Sequence, residues 1–161
     1  MIGAQWGEFD FDEKMWLVPD TRMKMKREHY VPLSSQAIDI LEELRELHNH
    51  PTYVFPSRTN HNNTMSNNTI LMALDRMGYR GKMTGHGFRA LAMSTIMEKL
   101  YYRHEVPDAQ LAHAKRGDVA KAYDRAKFMP ERIVMMQEWA DYLDSCALDG
   151  KVIHGNFKQR V

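Results

Sequence analysis

Thr84-Gly85-His86-Gly87-Phe88-Arg89 is the stretch on which the reading of this chain turns, because it sets an imidazole and a guanidinium three positions apart at a helix start. The run that follows, Ala90-Leu91-Ala92-Met93-Ser94-Thr95-Ile96-Met97, predicts a buried helix, and Gly81, Gly85 and Gly87 loosen the chain that leads into it. Residues three apart on a helix share a face, so His86 and Arg89 can converge on one ligand. A planar fork of donors beside a titratable ring suits a phosphate. A solvated helix surface also carries such pairs, so the flanking segments have to decide.

Downstream come Leu111-Ala112-His113-Ala114 and then Val119-Ala120-Lys121-Ala122-Tyr123-Asp124-Arg125. Upstream comes Arg22-Met23-Lys24-Met25-Lys26-Arg27-Glu28-His29-Tyr30-Val31-Pro32-Leu33-Ser34. The order is a basic hairpin closing on Val-Pro-Leu-Ser, then His-x-x-Arg, then Leu-Ala-His, then a tyrosine ten residues on. Taken together, these motifs resemble the catalytic domain of the tyrosine recombinases, and most closely the integrases of prophages and genomic islands, over roughly residues 3 to 144.

The 161 residues suffice for one domain with a real core. No apolar run of roughly 18 residues and no cleavable signal occurs, which points away from membrane and export and toward the cytoplasm. The single cysteine, Cys146, excludes an internal disulfide and is expected to be a small buried residue near a helix end. No Cys/His cluster has zinc spacing; His48, His50 and His61 read as turn residues rather than metal ligands. The net charge of +1 says little about nucleic acid, but its distribution does. Arg22, Lys24, Lys26 and Arg27 crowd one segment and Lys115, Arg116, Lys121, Arg125 and Lys127 another, while acids gather at 8–12 and 42–46. Such segregation lets one face hold DNA while the molecule stays near neutral.

The predicted architecture is mainly α with a small N-terminal antiparallel sheet, an α+β class. Trp6, Phe9 and Phe11 mark one apolar stretch, Met15-Trp16-Leu17-Val18 a second, and Tyr30-Val31-Pro32-Leu33 the returning arm of a hairpin whose loop is basic. From Ser34 the period becomes helical through Ile38, Leu41, Leu44 and Leu47, with Ser34 or Ser35 as N-cap and Pro51 as the stop. Residues 56–68 read as a polar loop. Ser66 is expected to cap a helix bearing Ile70, Leu71, Leu74 and Met77 and stopped by Gly78. Further helices are expected at about 86–103 and 107–113, a short one around Tyr123, and a long one from Pro130 with Ile133, Met136, Trp139, Tyr142 and Leu143 inward. Met72, Met77, Met93 and Met97 read as core filler. Residues 1–148 form the catalytic unit in this reading and 149–161 a polar tail.

The resemblance implies site-specific DNA recombination: strand cleavage and rejoining through a 3′-phosphotyrosyl intermediate, with no metal or cofactor. It implies double-stranded attachment-site DNA as partner and a homotetramer on that DNA for the full-length protein. Residue by residue, it carries Arg89 over as the second of two phosphate-clamping arginines, with His86 and His113 as the family's histidines. Tyr123 falls at the nucleophile's position, although its distance from His113 is one residue longer than the family's usual spacing. Tyr101 and Tyr102 are rivals; Tyr53 and Tyr79 lie by loops, and Tyr30 and Tyr142 read as core. Counting back eight residues from Pro32 reaches Lys24 as the general acid, with Lys26 as runner-up. Arg22, Lys26, Arg27, Lys115, Arg116 and Lys121 are the expected DNA contacts.

One departure matters. The family's first arginine would precede Ile2-Gly3-Ala4-Gln5-Trp6, and no arginine precedes Arg22. The chain is therefore expected to be a fragment that is nearly inert alone, the alternative being a natural short protein that uses Arg22. Two other functions compete with the integrase reading: a type IB topoisomerase-like enzyme, and a non-catalytic helical DNA-binding domain in which His86 and Arg89 only hold phosphate.

Overall fold

A computed structural model describes residues 2–24, 26–112 and 128–149. His113, Lys115, Arg116, Lys121, Tyr123 and the helix expected around Tyr123 lie outside the described residues, as does the polar tail from 150 onward. The described part is α+β: strands β1 (Phe9–Asp10), β2 (Met15–Val18) and β3 (His29–Pro32), then helices α1 (Ser35–His48), α2 (Asn68–Arg76), α3 (Gly85–Lys99), α4 (Glu105–Gln110) and α5 (Met129–Asp149).

The three strands form an antiparallel sheet in the order β1-β2-β3, so β3 is an edge. Its register sets Phe9 opposite Trp16 and Trp16 opposite Val31. Cross-strand aromatic pairs stabilise a sheet face, and here the Phe9 and Trp16 rings stack at 5.3 Å, nearly parallel at 7°. The chain before β1 is pinned to the segment after α1, where Val54 N–H donates to Ala4 O at 3.0 Å and Trp6 N–H to Thr52 O at 2.9 Å. Ala4, Trp6, Leu41 and Val54 are buried there, with Phe9, Phe11, Trp16 and Leu33 packed around them.

Ser34 caps α1 by accepting from Ala37 N–H at 3.3 Å. The helix stops before Pro51, at Asn49, whose left-handed φ of 42° lets its N–H return to Arg45 O at 3.0 Å. His50, two residues before the turn's Thr52, accepts both Thr52 N–H (3.1 Å) and Tyr53 N–H (2.9 Å) at Nδ1 and so donates from Nε2 to His61 O at 2.8 Å. Both ring nitrogens are thereby engaged in the loop. Ser66 Oγ accepts from Asn68 N–H at 3.2 Å at the start of α2. Gly78, at φ +82°, ends that helix by letting Tyr79 N–H reach back to Leu74 O at 2.9 Å. The expected apolar face of α2 is largely outward. Leu74 is buried, but Leu71, Met72 and Met77 are about half exposed, at 47%, 55% and 56%. A nine-residue helix anchored by one side chain leaves its other apolar residues at the surface.

The second core joins α3, α4 and α5 through Ile96, Val106 and Met135, flanked by Ala92, Leu100, Tyr102, Phe128 and Trp139. Pro107 fits the first turn of α4, where the missing N–H has no intrahelical partner to lose. Helix α3 ends at Lys99, short of the expected 103, and Tyr101 follows at φ 57°. On α5 the inward stripe runs through Arg132, Met135, Met136 and Trp139, at helical spacing. Ile133 and Leu143, expected inward, are half exposed because Arg132 and not Ile133 sets the phase. Cys146 is exposed rather than buried. Amides latch α1 to α5, with Gln36 Nε2 donating to Asp141 Oδ1 at 2.8 Å and Gln137 Nε2 to Gln36 Oε1 at 2.9 Å.

Candidate active site

Thr84 is extended at φ −132° and its hydroxyl accepts from Gly87 N–H at 3.2 Å, which starts α3 one residue before His86. A Cβ at Gly87 would meet Met83 Sδ at 2.7 Å, so a larger residue there would have to displace the flexible Met83 side chain. From that start, His86, Arg89, Ala90, Met93 and Met97 follow one helical stripe, and all of them line one open cavity of about 440 Å³. The volume falls in the range of ordinary ligand sites. Met93 and Met97 are half-buried walls of this cavity and not interior filler.

His86 stands exposed at the mouth, whereas Arg89 is half-buried. Its Nη2 donates to the carbonyl of Leu111 at the end of α4. This backbone acceptor fixes the direction of one arm of the guanidinium beside the cavity. Ala112 then turns the chain at φ 50°, and His113 follows. The structure thus brings His86 and Arg89 onto one cavity and sets Arg89 against the residue two before His113.

The basic hairpin has several fates for its cations. Lys24 and Lys26 are exposed in the connection between β2 and β3, and Lys26 adopts φ 51° there. Arg27 is half-buried and engaged. Arg22 is inward: its Nη2 donates to Glu8 Oε2, which also accepts Trp16 Nε1–H at 3.0 Å, and its side chain is 25% exposed. The arm that returns from the hairpin is fastened to α4, with His29 Nε2–H donating to Gln110 O at 2.9 Å.

The rival tyrosines differ. Tyr101 is 87% exposed just past α3. Tyr102 donates its hydroxyl to Glu138 Oε2 at 2.7 Å, and burial, reinforced by Glu138 and then Glu131, pushes its phenol up to about 12. A phenol so held is a poor nucleophile at neutral pH, since the oxyanion is what attacks. Beside it Arg103 pairs with Glu131 at 2.5 Å and lies over the Phe128 ring at 4.7 Å.

Sequence reasoning missed several contributors. Ser94, Glu98 and His104 also line the cavity. The α3 spacing from His86 could have flagged Ser94 and Glu98, while His104 arrives through the α3–α4 turn and has no local signal. Ser94 spends its hydroxyl on its own helix, at Ala90 O and Leu91 O, both 3.1 Å. The backbone acceptor Leu111 O and the buried Arg132 left no pattern to read. Among the described residues no cluster of three or more His, Cys, Asp or Glu could hold a metal ion. No helix among them is long and apolar enough to cross a membrane.

A capped helix thus presents an imidazole and a guanidinium to one cavity, on an α+β frame with a basic hairpin. Residues 1–129 match the Phage integrase family, and the chain belongs to that family. It is 39% identical over 150 residues to the prophage integrase IntA of Escherichia coli (strain K12), an alignment covering 93% of this chain and 36% of that protein. It is 39% identical over 156 residues to the integrase of Enterobacteria phage P4 (88% of this chain, 36% of that one). The integrase of Shigella phage Sf6 is 35% identical over 141 residues (87% and 36%). The chain therefore spans about a third of the length of the curated relatives it matches, 36% in each of these three. No solved structure gives a significant match.

Proposed function

We propose that the protein carrying this chain is a site-specific tyrosine recombinase that integrates DNA by cutting and rejoining strands at attachment sites. Tyr123 Oη attacks the scissile phosphorus, the bond to the 5′-oxygen breaks, and a 3′-phosphotyrosyl ester conserves the bond energy for rejoining. Arg89 offsets charge that builds on the non-bridging oxygens, assisted by His86 and His113. Lys24, on the hairpin, protonates the leaving 5′-oxygen. Lys26, Arg27, Lys115, Arg116 and Lys121 hold DNA phosphates, and the full-length protein works as a homotetramer across two duplexes. Arg22 enters this scheme at most indirectly, since its guanidinium is bonded to Glu8.

The observation that carries the reading is the placement of His86 and Arg89 on one cavity, with Arg89 held by Leu111 O two residues before His113. Membership of the phage integrase family and 39% identity to a phage integrase support the same chemistry. The test is covalent capture: full-length protein is incubated with attachment-site DNA nicked beside the cleavage point, so that the freed 5′ end is lost and rejoining cannot occur. A stable protein–DNA adduct is expected. Salt-sensitive binding without any adduct would instead favour the non-catalytic DNA-binding domain.

A further inference from the structure

Arg132 is the most deeply buried charged residue described, at 1% exposure. Its Nε donates to Gln110 Oε1 at 2.8 Å and its Nη2 to the carbonyl of Tyr30. Its recorded partners among the described residues are neutral oxygens, and burial draws the guanidinium down to about 10. It also sits in the first turn of α5, the helix end that disfavours cations. Burial of a charge, the lack of a carboxylate partner among the described residues and the wrong helix end all weigh against an arginine here on stability grounds. What the residue does achieve is geometric: one rigid fork joins β3, α4 and α5.

We propose that Arg132 is a positioning residue that clamps β3 onto the end of α4 and thereby holds the Lys24 hairpin over the cavity of Arg89. This rests on the reading of Lys24 as the general acid. Strand β3 is the edge of its sheet and the returning arm of that hairpin, so its outer carbonyls depend on neighbours for a partner. Arg132 supplies one at Tyr30 O, and His29 makes the companion link to Gln110 O. Gln110 is thus bonded through both its side chain and its backbone. Helix α4 keeps its own hold on the core through Val106 and Pro107, both fully buried. Removal of the fork therefore frees the hairpin arm rather than Leu111 and Arg89.

The test uses full-length protein and nicked attachment-site DNA in two versions, one with the ordinary bridging 5′-oxygen and one with sulfur in its place. Cleavage of the first requires a proton on the leaving oxygen; a thiolate leaves without one. Arg132→Gln is expected to slow cleavage of the oxygen substrate about 10- to 100-fold, the scale set by a small misplacement of a reacting group. Most of that loss should vanish with sulfur. Arg132→Lys, which keeps the charge but loses the planar fork that reaches two acceptors at once, should fall between and carries the test if Arg132→Gln fails to fold. Lys24→Ala should show the same sulfur rescue, and Arg89→Ala should be slow on both substrates. Full-rate cleavage by the Arg132 variants, or equal losses on the two substrates, beside a sulfur-rescued Lys24→Ala, would overturn the positioning role alone. A Lys24→Ala protein unimpaired on the oxygen substrate would overturn the underlying reading and the positioning role with it.

Discussion

Around Trp6 and Phe9 the molecule packs rings on rings, whereas around Ile96 and Met135 aliphatic and thioether side chains fill the centre between helices and the rings of Tyr102, Phe128 and Trp139 stand at its flank. The aromatic side is closed: the sheet, α1 and the segment at Val54 surround it, and its charged neighbours are turned to internal work, Arg22 on Glu8 and Arg45 over the Trp6 ring at 5.6 Å. The helical side is open: α3 leaves a cavity along its His86–Met97 stripe, and the buried polar groups Arg132 and Gln110 tie α5 and α4 to β3. Rings fill space with few rotamers and make a rigid base. The helical side leaves an open cavity of about 440 Å³ along α3. The hairpin belongs to the first region by its strands and to the second by its contacts with α4 and α5.

If the two sides divide the labour in this way, damage to them should read out differently. Trp6→Ala is expected to cost about 3–5 kcal/mol of stability, the usual penalty for deleting a buried large ring. Cleavage per folded molecule should be retained, as judged by urea denaturation beside adduct formation at low temperature. Met135→Ala should cost about 2–5 kcal/mol and also impair cleavage, because Met135 lies under the α3–α4–α5 junction. Equal effects of the two on cleavage per folded molecule would erase the distinction. Arg89→Ala should give the converse: cleavage slower by ~10²–10³ with little change in the melting transition, since its work is on transition-state charge.

The parts of this arrangement that the sequence announced are local ones. A Thr cap, a glycine and a three-residue spacing put His86 and Arg89 on one face wherever the helix goes, and Ser34 set the start of α1 in the same way. The phase of α5 was not announced, because apolar residues occupy two phases and the deciding inward residue, Arg132, carries the opposite signal. Exposure of Leu71, Met72 and Met77 on α2 depends on what its neighbours supply, which periodicity does not contain. The acceptor of Arg89 is a backbone carbonyl, present at every position and therefore invisible in composition.

Smaller effects sharpen the same contrast. Glu8→Ala would leave the half-buried Arg22 guanidinium, whose Nε is already enclosed without a partner among the described residues, with no counter-ion. A loss of about 1–3 kcal/mol is expected in chemical denaturation, with DNA affinity unchanged because Arg22 is bonded inward. Least of all is Asp141, held below its usual carboxylate value of 3.8 by hydrogen bonds from Gln36 and then Gln137. A depressed value means the latch between α1 and α5 is fully present above the ordinary carboxylate range and is lost as pH falls through the folded value. An NMR titration of the Asp141 carboxyl should therefore give a midpoint below 3.8. Asp141 at or above it would show that the latch does not form in solution.

The nucleophile is where the account stands or falls. Full-length protein trapped on nicked attachment-site DNA can be digested with nuclease and trypsin and the residual nucleotide located by mass spectrometry. Trypsin separates the candidates, releasing Ala122-Tyr123-Asp124-Arg125 and Leu100-Tyr101-Tyr102-Arg103 as distinct peptides. The predicted result is a phosphonucleotide on Tyr123 alone, with no adduct at all in Tyr123→Phe. A phosphonucleotide on Tyr101 or Tyr102, or an adduct that survives Tyr123→Phe, would contradict it.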